Sequence, residues 1–462
     1  MVDNGGMHEH DEKAQDLTRA ILDYAQQRIA MDPPPLDNTR SLAELRASVP
    51  ATVTEAGIGG AAALELFTEK LATACLSSDH PGYLAFIPAA PSDAATLFDL
   101  VVSASSIFGG SWMEGAGAIY AENEVLAWLA REVGLPQTAG GVFVQGGTLG
   151  NLSALVAARH WAQQRRTAAG LPLPARWKAV ISAESHSSLR SAARVMDIDV
   201  IAADAGTDGQ LDGPEVARAI DSAGDGVFAV VATAGTTNFG IVDDIASIAP
   251  VVKQRDLWLH VDGAYGLAGI LSPEARWRYQ GVEQADSFIV DPHKWLFAPF
   301  DACALVYRDP RIAKAAHTQH AEYLDVLTDS DEWNPSDYAI HLSRRTRGLP
   351  LWFSLATYGV HAYREAITHC IQVAHTIADE IRQRPGFHLV RDPQLSVVVF
   401  QREGWTMSDY EAWSSQLLAE GTAFVVPSSH AGEPVMRFAV VNPRTSIELL
   451  RHLLDSMENY AD

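Results

Sequence analysis

Cysteine is scarce in this chain: Cys75, Cys303 and Cys370 are the only three, far apart and with no CxxC pair. That spacing excludes a disulfide framework and a thiolate zinc site. Basic charge is also short. Lys and Arg number 34 against 57 Asp and Glu, for a formal charge of −23. A surplus of that sign repels nucleic-acid phosphates and anionic lipid, so any anion bound here must be held by a local site. No apolar run approaches the ~20 residues a membrane-spanning helix needs. The opening MVDNGGMHEHDEK lacks the basic stretch and apolar core of a secretory signal, so a cytoplasmic protein is expected. GxGxxG and GxxxxGK[ST] are both missing, which argues against dinucleotide and ATP sites. No internal repeat or low-complexity tract occurs.

At 462 residues the chain exceeds one ordinary domain. Apolar positions recur three and four apart over about 12–30 and 60–76, with MDPPPL (31–36) between them, and predict an N-terminal helical arm spanning 1–90. Two more helices are expected within 92–134. Between them lies the glycine-rich IFGGSWMEGAGA (107–118), which points to close backbone approach and not to a packed element. From 140 to 310 short apolar runs alternate with amphipathic segments: GVFV (141–144), AVIS (179–182), VFAVVAT (227–233), LWLHV (257–261), SFIV (287–290) and ACALVY (302–307). Such alternation predicts a mainly parallel sheet wrapped by helices, an α/β domain over 91–345. A long helix over about 346–383 should lead into a small α+β domain, the two together covering 346–462. Its strands are expected near 387–390, 396–401, 423–426 and 435–441, and its helices near 407–420 and 445–458.

The chemistry concentrates at strand ends. In DPHKWLFAPFDACALVY (291–307), Lys294 follows an apolar run and has aromatic and apolar neighbours. Burial disfavours the ammonium, so a lowered pKa and a nucleophilic amine suited to a Schiff base with an aldehyde are expected. Taken alone, a lysine at a strand end is usually a solvated surface residue. Asp262, in HVDGAYG (260–266), closes the LWLHV strand, where open α/β sheets place ligand-binding groups. A carboxylate there can pair with a pyridinium nitrogen and keep the ring an electron sink, although a structural or capping Asp is common too. Ala264 would let the chain lie flat against a ring face. In FVQGGTLGNLSALVAAR (143–159), Gly146, Gly147 and Thr148 lead from a strand into a helix whose free N–H groups make a phosphate cup. Two further segments, ESHSSLR (184–190) and TAGTTNFG (233–240), supply His186 to stack on a pyridine ring and Thr236 or Thr237 to bond its phenolic oxygen.

These five segments, in this order and near this spacing, resemble the group II pyridoxal 5′-phosphate (PLP)-dependent amino-acid decarboxylases of fold type I, among them the aromatic-amino-acid, histidine, glutamate and diaminobutyrate decarboxylases. The similarity runs from about residue 60 to NPRT (442–445), and DPHKW is close to the family's N/D-P-H-K-W motif. The resemblance implies a seven-stranded, mainly parallel sheet with a small C-terminal α+β domain, and a homodimer with active sites at the interface. It also implies conversion of an L-amino acid to its amine and CO2. Residue by residue, it implies Lys294 as the Schiff-base lysine, Asp262 as the pyridinium partner and His186 as the ring-stacking, catalytic histidine. Ala264 would cover the opposite ring face, and Gly147, Thr148 and His293 would serve the phosphate.

Many members of that family carry a proton-donating tyrosine on a loop after the lysine, and here the sequence departs from the pattern. Tyr338 sits in an Asp-Tyr pair like the family's, but nearer to Arg344-Arg345; a gapless match puts Pro335 at the tyrosine position, and Tyr323 is a second candidate. Changes at that tyrosine are associated in the family with oxidative deamination to an aldehyde. HPGYLAFIPAAPS (80–92) resembles the pocket-lining stretch and places Phe86, Ile87 and Pro88 beside the substrate, with Phe108 or Trp112 reaching in from the partner subunit. No Arg or Lys occurs in 80–120, which favours an apolar or aromatic substrate over one with a second anion. Glu114 leaves a basic substrate such as diaminobutyrate open. Rival readings are an aminotransferase or a carbon–carbon lyase, with Arg437 in the region where aminotransferases hold the substrate carboxylate, and a non-catalytic scaffold. A similar arginine in the decarboxylases keeps Arg437 from deciding.

Overall fold

In the computed structural model, which describes residues 7–88, 90–206, 208–319 and 332–460, the apolar runs become a seven-stranded sheet. Its strands are β1 (Gly140–Val144), β2 (Lys178–Ser182), β3 (Asp199–Ala203), β4 (Val227–Thr233), β5 (Trp258–Asp262), β6 (Ser287–Val290) and β7 (Cys303–Tyr307), in the order β1-β7-β6-β5-β4-β2-β3. β7 runs antiparallel to both neighbours, and the other pairings are parallel. Strands buried on both faces need apolar residues at every position, which is why β4 and β6 read as unbroken runs. Val230 and Ala232 of β4 face one core, and Ala229 and Val231 face the other. β3 escaped the sequence reading because it is a half-exposed edge with a weak apolar signal.

The arm begins with α1 (Glu12–Ile29), α2 (Leu42–Ser48) and α3 (Gly60–Leu66), and the last gives way to a π turn (Phe67–Leu71) and a short 3-10 turn. α4 (Asp93–Ala104) and α5 (Trp112–Val133) flank the glycine-rich stretch. Close approach is confirmed there. A Cβ on Gly109 would fall 2.7 Å from Thr346 Cγ2, and one on Gly110 would fall 2.7 Å from the Leu342 carbonyl. The expectation of no packed element fails from Trp112 onward, because α5 starts inside the stretch, with non-helical backbone at Gly115. The buried Glu122 of α5 accepts from Arg344 at 2.7 Å and from the Gly348 amide at 2.8 Å, while Arg344 also donates to the Gly109 carbonyl.

Helices α6 (Gly147–Ala168), α7 (Ser187–Met196), α8 (Gly213–Ala223), α9 (Ile245–Gln254) and α10 (Pro310–His317) cover the sheet. The long α11 (Leu349–Gln383) is interrupted at Gly359, whose φ of 75° lies in the left-handed region. It leads to a four-stranded antiparallel sheet of order β10-β11-β9-β8, built from β8 (Phe387–Arg391), β9 (Val397–Arg402), β10 (Ser428–His430) and β11 (Glu433–Ala439). Helices α12 (Met407–Ala419) and α13 (Ile447–Glu458) complete it. The strand expected at 423–426 is reduced to a bridge: the Phe424 amide and carbonyl pair with Gly82 and Leu84, so the segment ties to the arm and not to the small sheet. One hydrophobic core runs without a break from the large sheet through α11 into the small one.

Candidate active site

A cleft of about 370 Å³ opens where the C-terminal ends of β4, β5 and β6 meet the N-termini of α6 and α7. This is the crevice in which open α/β sheets bind ligands. It is lined by Phe86, Ile87, Gly147, Thr148, His186, Thr237, Asp262, Ala264, His293 and Lys294, so most of the residues singled out in the sequence converge on one place. A larger cavity of about 570 Å³, between α1, α4 and α11, contains none of them.

Lys294 stands in the turn that follows β6, its amide bonded to the Asp291 carbonyl and its Nζ 3.1 Å from Asp291 Oδ2. Burial pulls the ammonium pKa down, as expected, but the facing carboxylates of Asp291 and Asp262 outweigh it and the net shift is upward. The expected lowering is therefore corrected: before any ligand binds, the amine is held as an ammonium. His293 is fixed through Nδ1 against the Ala302 carbonyl at 2.7 Å, and burial lowers its pKa.

Asp262, at the end of β5, is 4% exposed. Its Oδ2 accepts from Asn151 Nδ2 at 2.9 Å and its Oδ1 from the Ala264 amide at 3.2 Å. His186 caps α7 and accepts the Ser188 amide on Nδ1 at 3.2 Å. Gly146 opens α6 with no side-chain cap, leaving the first amides of the helix for an anion. A Cβ on Gly147 would lie 3.1 Å from Asp291 Oδ2 and 3.2 Å from Ala264 Cβ, closing the floor of the cleft. Of the two threonines, Thr237 lines the cleft, whereas Thr236 accepts the Ile241 amide inside a turn.

Other expected residues fall elsewhere. Tyr338 is 5% exposed in the core beneath the sheet, its ring stacked on Trp333 with centroids 4.1 Å apart. The apolar packing of that ring removes it from the cleft, and Tyr323 lies outside the described residues. Pro88, Phe108 and Trp112 do not line the cleft of their own chain. Arg437 donates to the carbonyls of Thr237 and Ala85, so its guanidinium braces two walls of the cleft from behind.

Comparison with known proteins matches residues 45–403 to the model of the pyridoxal-dependent decarboxylase conserved domain. The chain belongs to the pyridoxal-dependent decarboxylase family. It is 28% identical to an aromatic-L-amino-acid decarboxylase of Bacillus atrophaeus, over 93% of this chain and 91% of that protein. It is 30% identical to an L-2,4-diaminobutyrate decarboxylase of Rhizobium meliloti (strain 1021), over 87% of this chain and 82% of the relative. Among solved structures, that of Oryza sativa TDC with PLP and tryptamine superposes with a TM-score of 0.87 at 26% identity, covering 96% of each chain. The protein is thus a PLP-dependent amino-acid decarboxylase of fold type I.

As a decarboxylase of this family its cofactor is PLP, and the residues present fit that group. The buried Asp291 Oδ1 and Thr233 Oγ1 have no hydrogen-bond partner among the described residues, and both side chains line the cleft. An uncapped helix start suits a phosphate, a buried carboxylate suits a pyridinium, and a lysine in the same cleft suits an aldehyde carbon. Sequence reasoning missed Asn151, Ser188 and Asp291. Asp291 was visible within the DPHKW motif, but Asn151 and Ser188 are ordinary polar residues near helix starts and become meaningful only through their partners.

Proposed function

We propose that this decarboxylase acts on an L-amino acid with an aromatic or other apolar side chain, with PLP attached covalently to Lys294. The convergence of Lys294, Asp262, His186 and the uncapped start of α6 in one cleft carries the proposal. When bound, PLP supplies an electron sink for the pair left behind as CO2 departs. Asp262 would hold a proton on the pyridine nitrogen, since a buried carboxylate favours the cationic form of its partner. His186 and Ala264 would sandwich the ring, Thr237 would meet its phenolic oxygen, and Gly147, Thr148 and His293 would hold the phosphate. Lys294 would bind the cofactor's aldehyde carbon and, beside Asp291, would hold or give up a proton at Nζ.

Phe86 and Ile87 supply an apolar wall, and Lys294 is the one lysine or arginine among the described residues lining the cleft. A substrate with a second carboxylate would meet no guanidinium there. The resemblance to the Rhizobium diaminobutyrate enzyme favours a basic substrate as the second reading. Exposed apolar side chains on α4, α5 and α11, including Leu97, Leu100, Tyr120 and Tyr358, support a homodimer in which the partner supplies Phe108 or Trp112. No described helix is long and apolar enough to cross a membrane, in keeping with a cytoplasmic enzyme. A panel of amino acids assayed for CO2, amine, aldehyde and ammonia tests the reading. CO2 and amine in equal amounts from an aromatic substrate support it; preference for diaminobutyrate moves the substrate class, and aldehyde with ammonia replaces simple decarboxylation.

A further inference from the structure

The cleft is backed by a buried polar chain with one consistent direction. Trp258 Nε1 donates to Ser287 Oγ at 2.9 Å, and Ser287 Oγ lies 2.8 Å from His260 Nδ1. His260 Nε2 is 2.9 Å from Asn151 Oδ1. Asn151 Nδ2 then divides, reaching Asp262 Oδ2 at 2.9 Å and Ser188 Oγ at 3.1 Å. Ser188 Oγ ends the chain 2.9 Å from His186 Nδ1.

We propose that Asn151 is a positioning residue at the branch of this chain, orienting the Asp262 carboxylate and, through Ser188, setting His186 Nδ1 as an acceptor. The inference rests on the reading of Asp262 and His186 as cofactor-facing residues.

Two fixed points set the direction, and the Trp258 end is consistent with it. The Trp258 indole N–H donates to Ser287 Oγ, whose own proton is then available to His260 Nδ1. A carboxylate only accepts, so Asp262 must face the amide nitrogen of Asn151, and Asn151 Oδ1 must then face His260. A backbone N–H only donates, so the Ser188 amide requires a lone pair on His186 Nδ1. The two ends and the middle agree, and each hydrogen passed along the chain from Trp258 to His186 Nδ1 meets an acceptor. Flipping the Asn151 amide would set its oxygen against Asp262 and its nitrogen against the His260 N–H. Asn151, Ser188, Asp262, His260 and Ser287 are all buried, so water cannot repair the mismatch. Burial also pushes His260 down to about 4, keeping it neutral at ordinary pH.

The consequence for the site is specific. With Nδ1 taken by the Ser188 groups, the remaining ring nitrogen of His186 is a donor and not an acceptor. Asp262, with Oδ2 bonded by Asn151 and Oδ1 by the Ala264 amide, is held in one orientation, and its remaining lone pairs would be left for a pyridine nitrogen.

The test is a long-range proton–nitrogen NMR correlation on PLP-loaded enzyme labelled with 15N-histidine, with signals assigned through His186→Asn and His260→Asn. Both rings should show a protonated Nε2 and an unprotonated Nδ1 at neutral pH. An Nδ1-protonated or doubly protonated ring at either position overturns the proposal. In parallel, Asn151→Asp puts a carboxylate where Asp262 needs a donor, and PLP affinity should fall about 10- to 100-fold. If Asp262→Ala weakens PLP binding and Asn151→Asp does not, the chain is wrong and the proposed function stands. If Asp262→Ala leaves PLP affinity unchanged, the proposed function itself fails.

Discussion

Lys294 is poised by opposing effects: burial disfavours its charge, while Asp291 and Asp262 restore it and prevail. An ammonium cannot attack an aldehyde, so loading of the apoenzyme with PLP should require loss of that proton. The rate of reconstitution should rise with pH between about 7 and 9, because the amine fraction grows roughly tenfold per unit below the pKa. Asp291→Asn removes the carboxylate in contact with the ammonium, and should move the rise to lower pH. A rate that is flat with pH in both proteins would contradict the role assigned to the two carboxylates. Lys294→Ala should lower CO2 release by roughly 10²–10⁴-fold or more while PLP still binds through the other cleft residues, as measured with radiolabelled substrate and equilibrium dialysis. Turnover at the unmodified rate would remove Lys294 from the chemistry.

At the scale of elements, the buried Glu122–Arg344 pair joins α5, the glycine-rich stretch and the start of α11 at one point. Removing one partner leaves a charge in a dry site. Glu122→Leu and Arg344→Leu should each cost about 3–5 kcal/mol in urea unfolding, and the double variant less than the sum. Strictly additive losses would show that the two side chains do not act as a pair. The sequence made the buried strands legible because both faces demand apolar residues, and made the glycines at 109 and 110 legible as points of close approach. It could not reveal that Trp112 begins a helix, or that the segment around Phe424 pairs with Gly82 and Leu84, since both depend on a distant partner. The position of Tyr338 away from the cleft was hidden for a similar reason. Its Asp-Tyr context resembles a loop motif, while the Trp333 stack that buries it comes from packing.

Across the whole molecule, buried ionisable groups make stability depend on pH in opposite senses. Burial lowers His317 to about 4. Its contribution is fully present above the unfolded value of ~6.5 and is lost as pH falls through about 4. Burial raises Asp243 to about 7, so its contribution is present below the unfolded value of ~3.9 and is lost as pH rises through about 7. Urea unfolding at pH 5 and pH 8 should therefore show wild type gaining about 2 kcal/mol relative to His317→Gln on going to the higher pH. Relative to Asp243→Asn it should lose a similar amount. Equal differences at both pH values would contradict the burial argument. The order of chemical segments was legible along the chain because parallel strands deliver their ends to one edge of the sheet. The Trp258-to-His186 chain was not, because its members are scattered from residue 151 to residue 287 and only packing brings them into contact.

The central claim is that Lys294 carries PLP in this cleft, and the most direct measurement is peptide mapping by mass spectrometry after borohydride treatment of the PLP-loaded enzyme. Reduction should leave the cofactor fixed, through a secondary amine, on the peptide that contains Lys294. Cofactor fixed on another lysine, or on none, would contradict the account.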